Sequence, residues 1–70
     1  MSPLGLYLSR RSVNKAKIAR RTGITTNRMS QLANNPNTKL TAEELYKIAL
    51  AIDVNPCEVL NALFKDIILE

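Results

Sequence analysis

Three consecutive residues, Gly23, Ile24 and Thr25, decide what this chain can become. On their N-terminal side Asn14 carries the short amide that caps a helix, and residues 15–22 follow with Ile18, Ala19 and Thr22 on one face. Val13, just before the cap, is placed to pack on Ile18. Gly23 is the residue type that most readily takes the left-handed conformation closing a helix. Thr25 is a new cap, so a second helix starts after a three-residue link. Helices joined so tightly through a glycine cross at roughly 90–120°. Ile24 plugs the corner, and one face of the second helix is left protruding.

That face is unusual. The second helix, from 26 to about 34, buries Met29, Leu32 and Ala33 at i, i+3, i+4. Its other side chains are Thr26, Asn27, Arg28, Ser30, Gln31 and Asn34, with no acid and none of the Glu/Lys pairs that solubilise an exposed helix. Groups that donate, accept or both are what the mixed donors and acceptors of base edges require, and carboxylates would be repelled by the flanking phosphates. A protruding helix of this kind fits the DNA major groove and reads it with its N-terminal residues. Thr26, Asn27, Arg28, Ser30 and Gln31 are the expected readers. Arg28 suits guanine O6 and N7, Asn27 and Gln31 suit adenine, and the Thr26 methyl suits thymine.

Charge is segregated along the chain. Residues 1–42 hold eight cations (Arg10, Arg11, Lys15, Lys17, Arg20, Arg21, Arg28 and Lys39) and no acid. The remainder holds six acids against Lys47 and Lys65. One end therefore suits a polyanion. A basic helix lying on a membrane is the competing explanation, but these helices lack the broad Trp/Phe/Leu face it needs.

The flanking segments read as three more helices. The first spans about 3–12, capped by Ser2, with Pro3 in its first turn, Leu4, Tyr7 and Leu8 on one side, and Gly5 weakening it. Asn35 is expected left-handed at the end of the recognition helix, and Pro36 forbids its continuation. "TAEE" at 41–44 is a capping box between Thr41 and Glu44. The helix it opens runs to about Ile52 and buries Leu45, Ile48, Ala49 and Ile52. Asn55, Pro56 and Glu58 start the last helix with a second box, and Leu60, Leu63, Phe64 and Ile67 form its inward face. The expectation is an all-α fold, one five-helix domain over residues 1–70.

Catalysis and metal binding find no support. The seventy residues include no histidine and one cysteine, Cys57, expected as a small buried hydrophobe. There is no Gly-rich phosphate loop, no membrane-length apolar run and no signal-peptide pattern. A non-enzyme without cofactor, small-molecule ligand or membrane association, in a reducing cytoplasm, is expected.

Residues 13 to about 56 resemble the phage-repressor and Cro-type helix-turn-helix family, which includes the xenobiotic-response-element-like regulators. The family's T-Q-x-x-L-A opening appears as "NKAKIA", its G-[IV]-[ST] turn as Gly23, Ile24 and Thr25, and its last core helix as "LYKIALAIDV". The resemblance implies a lambda-repressor-like fold and sequence-specific binding of double-stranded DNA by a small transcriptional regulator, a repressor. It implies base contacts at Thr26, Asn27, Arg28 and Gln31, and phosphate contacts at Asn14, Lys15, Asn34, Asn35 and Lys39. The chain departs from the family at three places. Leu8 and Ala33 stand where the family often pairs Arg with Glu, Lys15 replaces a Gln, and Asp53 stands where Gly is common, which strains the last turn.

The alternative is a protein-interaction module, or an antitoxin-like subunit, that binds a partner through its C-terminal helix. Val59, Ile68 and Leu69 exceed what one inward stripe needs. They are the expected contacts of a homodimer, unless they pack on the first helix or fray. RNA recognition is disfavoured because Tyr7, Tyr46 and Phe64 all sit at core spacing.

Overall fold

The computed structural model describes residues 1–69, which form five helices and, among the described residues, no strand. They are α1 (Pro3–Arg10), α2 (Lys15–Thr22), α3 (Thr26–Asn34), α4 (Ala42–Ala51) and α5 (Pro56–Phe64). The start signals hold because they are local chemistry. Asn14 accepts from the Ala16 and Lys17 amides, Thr25 from Arg28, and Gly23 closes α2 at φ 78°. The Thr41–Glu44 box is complete.

Several ends and faces differ from expectation. The first helix stops at Arg10, because Ser12 turns left-handed at φ 56°. Asn35 is extended (φ −106°, ψ 109°) rather than left-handed, since a following proline pushes the residue before it toward extended backbone. Asn55 caps α5 through the Cys57 amide, not through a box with Glu58. Asp53 is left-handed at φ 58°, where a family glycine would sit without strain.

The inward stripe of α5 is one residue away from the expected one. Val59 is fully buried and Leu63 partly so, whereas Leu60, Phe64 and Ile67 are exposed. One residue turns a helix face by about 100°. Val59 therefore joins Leu45, Ala49 and Val54 in a small cluster between α4 and α5, and it is no dimer contact. Ile52 is only half-buried, and Cys57 is exposed. Tyr46 and Phe64 are also largely exposed, because the buried sides of their helices belong to Leu45, Ile48, Ala49 and Val59.

The main core gathers Leu4, Leu8, Ile18, Ala19, Met29, Leu32 and Ile48 from the first four helices. Within it, α3 is seated on α1 and α2. The start of α1 lies across the end of α3: the Ser2 amide donates to the Ala33 carbonyl at 2.9 Å and its hydroxyl to the Leu32 carbonyl. Ser2 thus caps α1, through the Gly5 amide, and satisfies two of the carbonyls that α3 would leave unpaired. Gly5 permits this approach. A Cβ there would collide with the Ala33 carbonyl oxygen and lie 2.9 Å from its carbon.

Replacing Gly5 by alanine should therefore destabilise the fold, although alanine is the better helix former by about 1 kcal/mol. Overpacking against a backbone carbonyl should lower the unfolding free energy by about 1–3 kcal/mol, read from the urea midpoint.

Candidate nucleic-acid interface

The packing of α3 leaves Thr26, Asn27, Ser30 and Gln31 exposed on the face opposite Met29, Leu32 and Ala33. Thr26 and Ser30 line a shallow recess with Lys15 and Ala16 from the start of α2. The tight Gly23–Thr25 link thus places a cation beside two hydroxyl groups on one surface. Gln31 and Asn27 stand on the same helix without a side-chain bond between them. The Asn34 amide donates to Ser30 Oγ at 3.2 Å, so these two form a unit.

At the periphery, Asn14 uses its Oδ1 on the α2 cap, which leaves its amide nitrogen as the group it offers outward. Asn35 is exposed and uses Oδ1 on the Asn37 amide at 2.9 Å, which shapes the loop after α3. Lys39, in the same loop, is exposed. Arg10, Lys17 and Arg20 are exposed on α1 and α2. Two further cations serve the fold. Arg21 donates to the Ala51 carbonyl at the end of α4 (2.8 Å), and Arg11 lies over the Tyr7 ring, 5.8 Å from its centroid.

Arg28 stands apart from the other candidates. Its Nε donates to Glu44 Oε2 at 2.8 Å, and Nη2 donates both to Glu44 Oε1 (3.0 Å) and to the Lys39 carbonyl (2.8 Å). Glu44 is only 17% exposed. Hydrogen bonds from Arg28, then those from the Thr41 amide and hydroxyl, outweigh its partial burial and hold its carboxyl well below the ordinary range, at about 2. The same pairing pushes Arg28 up. Sequence reasoning found Glu44 only as a capping residue. Its second partner lies sixteen positions away across a loop, where no periodicity points to it. Ser2 and Arg21 were missed as ties between helices for the same reason.

Among the described residues no three of the His, Cys, Asp and Glu side chains group as a metal site would need, and no helix is long and apolar enough to cross a membrane. A family model described as Cro/C1-type HTH DNA-binding domain matches residues 4–65. Comparison with curated proteins and with solved structures gives no match.

The Glu44 pairing should appear in the pH dependence of stability. A carboxyl held lower in the folded than in the unfolded chain stabilises the fold fully above its ordinary value of 4.5, and that stabilisation fades as pH falls toward about 2. The exposure of Arg28 screens the pair and limits the effect to about 0.5–1 kcal/mol. Glu44→Gln should lower stability by that amount at pH 7 and narrow the gap to the wild type between pH 4.5 and 2, as measured by denaturant unfolding across that range.

Proposed function

Because this chain belongs to the Cro/C1-type HTH DNA-binding domain family, we propose that it is a sequence-specific regulator of transcription that lays α3 in the major groove of double-stranded DNA. The observation that carries this reading is the exposed, acid-free face of α3. Thr26, Asn27, Ser30 and Gln31 would read base edges. Asn14, Lys15, Asn34, Asn35 and Lys39 would hold the phosphates on either side. Repression follows most simply from such a surface, since occupying a promoter excludes other proteins without a second activity.

Selection of bound duplexes from a random pool at about 0.15 M salt, where weak attraction between exposed charges is screened, tests the reading. One enriched motif is expected. A pool left without any preferred sequence would sink it. On the selected duplex, Gln31→Ala should cost about 1–3 kcal/mol and relax preference at one base pair. Lys15→Ala should instead weaken binding to all sequences and reduce the salt slope by about 1.

A two-fold dimer is the assembly that suits this role, with half-sites about 34 Å apart. What favours it is the apolar end of the chain: Ile67, Ile68 and Leu69 are 68%, 81% and 94% exposed, and Leu60 and Phe64 are about half exposed. The same surface would serve a protein partner in the alternative reading, as an antitoxin-like subunit. Ile68→Asp should lower the mass in solution while leaving helical content intact, as seen by sedimentation and circular dichroism. A wild-type monomer at every concentration would rule the dimer out.

A further inference from the structure

Arg28 is the only cation on α3, and it sits in the first turn among the residues proposed to read bases, yet its guanidinium is turned to α4. A two-point grip on guanine needs two guanidinium nitrogens on one edge. The Nε–Nη2 edge is filled by the Glu44 carboxylate, and the second donor of Nη2 is held by the Lys39 carbonyl. Only Nη1 is left, so neither edge is available. Meanwhile α3 packs broadly on α1 and α2, and α4 on α2 and α5. The Arg28–Glu44 pair ties α3 to α4 directly.

The pair also fixes the chain between them. Arg28 holds the Lys39 carbonyl, and Glu44 Oε1 accepts from the Thr41 amide at 3.0 Å and hydroxyl at 3.1 Å. One carboxylate therefore joins the first turn of α3, the end of the loop and the first turn of α4. We propose that Arg28 and Glu44 are positioning residues that set how α3 and the 35–40 loop meet DNA, and that base identity is read without Arg28. This rests on the DNA-binding reading above.

Charge alone predicts opposite effects of removing the two partners. Arg28→Ala would leave a carboxylate near the phosphates and weaken binding, whereas Glu44→Ala would release an arginine and strengthen it. Positioning predicts the same sign for both. On the duplex selected by the wild type, each substitution should weaken binding roughly tenfold, with base preferences unchanged in rank. The double variant should bind no worse than Arg28→Ala, because the two share one interaction. Tighter or unchanged binding by Glu44→Ala, or loss of preference at a single G·C pair in Arg28→Ala, would overturn the proposal. Should an alanine variant fail to fold, Arg28→Lys and Glu44→Gln give the same comparison with weaker effects. A wild type that selects no duplex would defeat the DNA-binding reading instead. The pair is then tested in the free protein, where either substitution should speed amide exchange at Thr41 and Asn37. Exchange unaffected by Arg28→Ala would overturn its role.

Discussion

The close seat of α3 against α1 is the contact on which the rest of the molecule depends. Ala33 is completely buried, Gly5 leaves room for its carbonyl, and Ser2 bonds the last two buried carbonyls of the helix. A helix of nine residues such as α3 is too short to be stable alone in water. Its shape comes from Met29, Leu32 and Ala33 sinking into the core and from Arg28 tied to Glu44 at its first turn, which leaves Thr26, Asn27, Ser30 and Gln31 exposed. The departure from the family at Leu8 and Ala33 fits this scheme. Where relatives often pair two charges, this chain has two apolar groups at 1% and 0% exposure, and no ion must be desolvated.

Those features differ in how far the sequence reveals them. Asn14, Gly23, Thr25 and Thr41 act on backbone groups within a few positions, so the limits of α2 and α3 and the box that opens α4 were legible. The face of α5 was not. Val59, Leu60, Leu63 and Phe64 fit two stripes one residue apart, and only the position of α4 selects Val59 with Leu63. Gly5 read as a weak point in a helix, because its reason lies on another helix. Asn35 is a different case: the proline after it held the relevant signal, and it outweighed the asparagine's tolerance of left-handed backbone. On the proposed DNA face, the polar inventory of α3 was legible, but the commitment of Arg28 to Glu44 was hidden behind the capping role that already explained Glu44.

Glu44 also qualifies the charge segregation. It is the acid whose bond to α3 brings it up to the basic part of the chain, and it is neutralised there by an arginine. The proposed interface consequently shows DNA neutral polar groups on α3 and cations around them. The long-range attraction of those cations is cut off within about 8 Å at physiological salt, so net charge matters less than where each cation stands. Arg11 and Arg21 are occupied with Tyr7 and Ala51. Lys15 shares a recess with Thr26 and Ser30, and a phosphate held there would fix the depth at which these hydroxyls approach base edges. On this view a single lysine at the start of α2 contributes more to register than the rest of the basic surface. Sequence preference then comes from uncharged side chains whose hydrogen bonds must be satisfied once water leaves the groove.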